Sequence, residues 1–176
     1  MTAVKQEFIH KVDKAKIPTC NILGVDIAAV DMVWLLDYLN DNIHALSGDY
    51  ICVSNVHTTV TAYEDVEYRK VQNGGIMAIP DGGPLSSVGQ KRGFKNMKRT
   101  TGPSLMGEIF KISVSKGYRH FFYGSTDETL EKLYSVLADI TCFSQIKNIK
   151  RKINCKMKLY FLKKIEIGRA SCRERV

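Results

Sequence analysis

Hydrophobic and polar positions alternate in blocks along the first 140 residues, and each block has a recognisable period. Residues 20–27 (CNILGVDI) form a short apolar run that reads as a strand bent at Gly24, or as a small hairpin. Asp31 is a credible N-cap for a helix over residues 32–45, whose Val33, Leu35, Leu36, Leu39 and Ile43 recur at helical spacing. Ser47-Gly48-Asp49 ends it. Residues 50–53 (YICV) read as a buried strand, and Ser54-Asn55 as the turn into a helix over 56–72 that Gly74-Gly75 stops. Residues 76–79 (IMAI) form another fully buried strand. A short helix or loop spans 83–93. The segment RTTGP opens a further helix, with Pro103 in its first turn and Gly117 at its end. Residues 119–123 (RHFFY) read as a strand. The pattern Ser125-x-x-Glu128 resembles a capping box before Leu130, Leu133, Val136 and Leu137. Residues 1–18 are polar and weakly periodic, a helical or frayed lead-in.

Strands alternating with helices predict an α/β fold of the Rossmann-like kind, with a mainly parallel sheet flanked by helices. The two buried strands 50–53 and 76–79, joined by a helix, form a β-α-β unit, simplest as a parallel pair with a right-handed crossover. Asn55 and Asp81 would then stand side by side at the carboxyl edge of the sheet, where ligands bind in open α/β folds. Pro80 and the run Asp81-Gly82-Gly83-Pro84 are turn chemistry, and an Asp-Gly pair is also what a plain turn uses. The strand, Gly124 and following helix offer backbone amides and a positive dipole end to a phosphate, though one glycine there also serves packing alone. Neither GxGxxG nor a P-loop is present.

Composition changes the picture in one respect. The 176-residue chain carries a formal net charge of +8, which invites a nucleic-acid partner. The charge is unevenly placed, however. Residues 1–140 hold 15 Lys+Arg against 16 Asp+Glu, whereas residues 141–176 hold 11 against 2. That tail also loses all periodicity. Its last ten residues, IGRASCRERV, are the translation of ATC GGA AGA GCG TCG TGT AGG GAA AGA GTG, a common sequencing-library adapter. The expected organisation is therefore one domain over 1–140 and a non-native, poorly packed tail over 141–176, with no nucleic-acid partner. The N-terminal MTAVKQEFIHKVDKAK lacks the apolar core of a signal peptide. No run of 18 apolar residues marks a membrane span. Five cysteines (20, 52, 142, 155 and 172) show no metal spacing or disulfide framework, and a reduced cytoplasmic setting is the default.

Four segments, ICVSNVHTTVTAYED, PDGGPL, RTTGPSLM and FFYGSTDETLEKL, occur in the order and spacing of one family. With ILGVDIAAVD before them, they resemble the WecG/TagA/CpsF glycosyltransferases of bacterial cell-surface polysaccharide synthesis, over residues 20–139. The resemblance implies a Rossmann-like enzyme at the cytoplasmic face of the membrane, with peripheral membrane contact when complete. It implies transfer from a UDP-sugar, UDP-N-acetylmannosamine or another UDP-hexose, to a polyprenyl-diphosphate-linked sugar, with inversion, no metal and no cofactor. By the same resemblance Asp81 falls on the proposed general base, Asn55 lies within the site, and Gly124 near the nucleotide. A family Thr falls on Val53, so a hydroxyl contact there is absent or shifted to Ser54. The family's later half, with further arginines and a membrane-binding appendage, has no counterpart.

The chemistry adds further candidates. Leaving diphosphate needs helix N-termini and cations. The helix start at Gly102 and the flexible Gly82 suit this, with Arg99 as a side-chain donor or an ordinary surface charge. His57 opens the helix beside Asn55 and either touches substrate or faces solvent. Tyr63 and Tyr68 either stack on a base or pack as helix tyrosines. The alternative to an enzyme is a non-catalytic nucleotide-binding α/β module.

Overall fold

The computed structural model describes residues 11–118, 120–123, 126–140, 158–161 and 165–168. Within the lead-in, expected as helical or frayed, the described residues hold one 3-10 turn, Lys14–Lys16, capped by Asp13. The Lys14 ammonium donates to the carbonyls of Asn73 and Gly75, at the end of a later helix. Burial pulls its pKa below the usual lysine value.

Strands β1 (Thr19–Ile22) and β2 (Val25–Ala28) form the hairpin. Its two-residue turn has positive φ at both Leu23 (52°) and Gly24 (85°), the geometry that matches strand twist. Asn21 closes it, its side chain accepting from the Gly24 amide and donating to Asp26. Helix α1 (Met32–Asn42) starts where Asp31 accepts from the Trp34 amide at 3.1 Å. Leu35 and Leu39 point inward as their spacing predicts, but Val33 is two-thirds exposed. Trp34 is only partly buried and stacks on Tyr38, one turn on.

After β3 (Asp49–Ser54) the single helix expected over 56–72 is two helices, α2 (Val56–Glu64) and α3 (Val66–Gly74). Asp65 is the cause. Its backbone is extended, and its carboxylate accepts from the Glu67 and Tyr68 amides at 3.0 and 3.2 Å. A short acidic side chain thereby starts a new helix where its own continuation competed. Strand β4 (Met77–Pro80), α4 (Gly83–Lys91) and α5 (Gly102–Lys116) follow. Gly117, at φ 65°, closes α5 in the left-handed conformation. Beyond β5 (His120–Tyr123), α6 (Asp127–Ile140) begins at Thr126, whose hydroxyl accepts from the Thr129 amide. Ser125, the expected cap, lies outside the described residues.

The sheet order is β1-β2-β4-β3-β7-β6-β5, with β6 at Lys158–Phe161 and β7 at Ile165–Gly168. β2, β4, β3 and β7 are mutually parallel, and the outer pairings are antiparallel. This is the α/β Rossmann-like architecture the strand-helix alternation predicts. Alternating residues sort the core into two layers. Ile51, Val53, Met77 and Ile79 pack beneath α1 and α5 with Leu35, Leu39, Leu105 and Ile109. Cys52, Ala78 and Ile27 face the other way, toward Ala62, Leu85 and Tyr68 of α2, α4 and α3. Two strands from the stretch after residue 140 are paired into the sheet, an ordering that the expectation of a poorly packed tail did not include.

His120 is fully buried at the start of β5, edge-on to Phe110. Ser113 Oγ donates to the Ile109 carbonyl at 2.6 Å and is 2.7 Å from His120 Nε2. The hydroxyl proton is thus used, and the histidine donates from Nε2. Desolvation lowers its pKa to about 4 from 6.5. The unfolded chain therefore takes up this proton below pH 6.5 while the native one does not until about pH 4. The contribution is fully present above pH 6.5 and is lost as pH falls toward 4, on the order of 3 kcal/mol in all. Urea unfolding at stepped pH is expected to show that loss in the wild type. His120→Gln, which keeps a donor to Ser113, is expected to lack this part of it.

Candidate active site at the carboxyl edge of the sheet

The parallel pairing of β3 with β4 sets the site. Ser54 stands opposite Pro80, so the next residues, Asn55 and Asp81, leave the sheet side by side. The Asp81 amide donates to the Ser54 carbonyl at 2.7 Å, extending the ladder one step past the proline. Pro80 has no N–H to give, and its carbonyl instead accepts from the Thr100 amide at 2.8 Å. Asp81 is 8 % exposed. Gly82 then passes close to Asn55: a methyl group on it would lie 3.9 Å from the Asn55 Cβ.

A strap, residues 97–102, runs across this edge. Met97 is fully buried, its sulfur filling the space where Gly89 lacks a side chain. Lys98 donates from its backbone to the Val30 carbonyl and from its ammonium to Asp31, after β2. That ammonium and the Trp34 amide lower the Asp31 pKa, the amide contributing more. Thr100 is held at the end of β4 as described. Gly102 reaches β3, where a methyl group on it would lie 3.4 Å from Val53. The strap thus visits β2, β4 and β3 in spatial order. It carries Arg99, whose Nε donates to the Asp81 carbonyl at 3.0 Å while the residue stays exposed.

Three helix N-termini open on this rim. Asn55 caps α2 through a reciprocal box: its Oδ1 accepts from the Thr58 amide, and Thr58 Oγ1 accepts from the Asn55 amide. Capping uses the Asn55 oxygen and leaves its amide nitrogen as the group with which it could donate. Gly82 precedes α4 with no side-chain cap, so the first amides of α4 are not covered by a capping side chain. Thr101 caps α5. The dipoles of these helices favour an anion at their shared end, and Arg99 adds a full positive charge.

Of the residues singled out from sequence, Asp81, Gly82, Asn55, Arg99 and Gly102 are brought together. His57 sits exposed in the first turn of α2, two residues from Asn55. Ser54 is on the same strand end but turned away. Its hydroxyl donates to Gln72 Oε1 at 2.7 Å, and Gln72 Nε2 donates to Tyr68 OH, all on the α2–α3 side of the sheet. Val53 faces α5 and Ser54 faces α3, so Ser54 cannot supply from its own position a contact that Val53 lacks. Tyr68 is accounted for by this chain, with burial raising its pKa. Tyr63 is well exposed. Gly124 lies outside the described residues. The preceding strand, β5, ends on the same edge but is separated from β3 by β7 and β6, about 14 Å across three strand spacings. The Thr100–Pro80 contact was missed in the sequence because nothing local marks a loop amide as the partner of a proline carbonyl. Among the described residues no group of three or more His, Cys, Asp or Glu could hold a metal ion, and no helix is long and apolar enough to cross a membrane.

A parallel α/β core with a buried carboxylate, an exposed arginine and three helix N-termini on one strand-end rim defines a protein of the Rossmann-like class. The sequence profile described as Glycosyl transferase WecG/TagA/CpsF family matches residues 20–149, and the chain belongs to that family. It is accordingly a glycosyltransferase, with a sugar donor and an acceptor as substrates. No curated protein matches it.

Ser54→Ala is expected to leave Gln72 without its buried partner and to cost about 1–3 kcal/mol of stability. Urea unfolding of the variant beside the wild type measures this.

Proposed function

We propose that this protein transfers a sugar from a UDP-sugar to a sugar carried on a polyprenyl diphosphate, with inversion and without a metal, in bacterial cell-surface polysaccharide synthesis. Asp81 is the general base. It takes the proton from the acceptor hydroxyl as that oxygen bonds to the anomeric carbon. The bond from that carbon to the diphosphate breaks on the opposite face, its electron pair leaving with UDP. One carboxylate suffices for such an inverting step. Asn55, His57, Gly82 and Gly102 line the donor side, and Arg99 with the starts of α2, α4 and α5 balances the charge that builds on the leaving diphosphate. Gly124 is assigned to the nucleotide by family likeness alone, and Ser54 is retained only as a support of the strand end.

The observation that carries this proposal is the juxtaposition of Asp81 with Asn55, Gly82 and Arg99 at the ends of two parallel strands. A non-catalytic nucleotide binder would need the arginine and the helix starts but would have no use for the carboxylate. We take the complete enzyme to work at the cytoplasmic face of the membrane, in peripheral contact with it, and residues 141–176 to be non-native, residues 1–140 being part of its catalytic domain.

Asp81→Asn, made in a form that carries the family's later half, is expected to keep the fold and UDP affinity. Its transfer rate should fall on the order of 10²–10⁴-fold. Release of UDP from several UDP-sugars, with a polyprenyl-diphosphate sugar as acceptor, measures this; full activity in the variant removes Asp81 from the mechanism. The 176-residue chain itself is expected to bind UDP weakly and to give no measurable transfer.

Limited proteolysis is expected to trim the 176-residue chain near residue 140 and leave a compact core. Protection of residues 158–168 through the digestion would show instead that β6 and β7 are integral to the fold.

A further inference from the structure

We infer that Met97 is a positioning residue for Arg99 and thereby sets how tightly the rim holds a nucleoside diphosphate. This rests on the role proposed above for Arg99. The arginine has little to fix it directly. It is exposed, and among the described residues its side chain has one hydrogen bond, from Nε to the Asp81 carbonyl. The two η nitrogens are left to fork onto a diphosphate. A side chain anchored at one atom stands where its backbone puts it.

That backbone is the strap, and the last turn of α4 grips it just before Arg99. The Gly89 carbonyl accepts from the Phe94 amide at 3.0 Å, and Gln90 Nε2 donates to the Met97 carbonyl at 2.9 Å. The Met97 side chain is wholly buried and seated so closely on Gly89 that a methyl group there would overlap its sulfur. The other end of α4 adjoins Asp81 through Gly82. The helix is thus a strut between the carbonyl that receives Arg99 and the seat that aims it. The amides of Lys98 and Thr100 flank the arginine as well. Each of those bonds exchanges for one to water when the strap lifts, so its net worth is small. Unseating a buried methionine instead leaves a cavity that its neighbours fill only in part. The seat is therefore the stronger anchor.

Titration of the 176-residue chain with UDP, followed by nuclear magnetic resonance, tests this. Met97→Ala is expected to weaken UDP binding about tenfold, as is Arg99→Gln, the loss of one charge-assisted contact. The double variant should lose no more than either single one, because both act through the same guanidinium. Met97→Leu keeps the volume and should bind UDP as the wild type does. The Arg99 Nε–H resonance reports the seat without any ligand. It should be protected from exchange with water in the wild type and Met97→Leu, and exchange freely in Met97→Ala. A methionine that served the core alone would change stability and leave that resonance as it was. Additive losses in the double variant overturn the proposal, as does wild-type affinity or a protected Nε–H in Met97→Ala. Unchanged affinity in Arg99→Gln overturns it too and, unlike those results, also removes the arginine from the proposed site. Should Met97→Ala fail to fold, Gly89→Ala decides in its place, since its methyl group displaces the methionine. Wild-type affinity with a protected Nε–H in that variant overturns the proposal.

Discussion

The ladder between β3 and β4 is the constraint on which the site depends. With Ser54 set opposite Pro80, the next residue on each strand leaves the sheet at the same height. A slip of one residue would turn every side chain of one strand to the other face. Were β3 the strand that slipped, Val53 would exchange layers with Ser54 while Ile79 kept its own, and Asp81 would no longer meet Asn55. Hydrophobic burial on both faces makes that slip costly, so core packing holds the carboxylate in position.

The strap serves the same end from outside the sheet. Its backbone takes up the carbonyls of Val30, just past β2, and of Pro80, at the end of β4, and its methionine is seated against Gly89. A segment with little regular structure is thus fixed at each step, and Arg99 projects from a rigid base. Preorganised charge of this kind does not have to be gathered when a ligand arrives.

Much of this was readable in the sequence because it rests on local chemistry. Apolar runs bounded by Gly and Pro marked β3 and β4, Asp31 and Gly117 marked helix ends, and the β-α-β order placed Asn55 beside Asp81. What was not readable depends on competition or on distance. Asp65 resembles any solvent-facing helix residue until its carboxylate is seen closing on the Glu67 and Tyr68 amides. The destination of the Ser54 hydroxyl is decided by Gln72, 18 residues away, and by the face on which the pleat puts it.

Arg99 hangs from the main-chain carbonyl of Asp81, at 3.0 Å from its Nε, and this hydrogen bond does not call on the carboxylate. Every amino acid at position 81 carries that carbonyl. Substitution of the acid therefore leaves this main-chain anchor for the arginine in place.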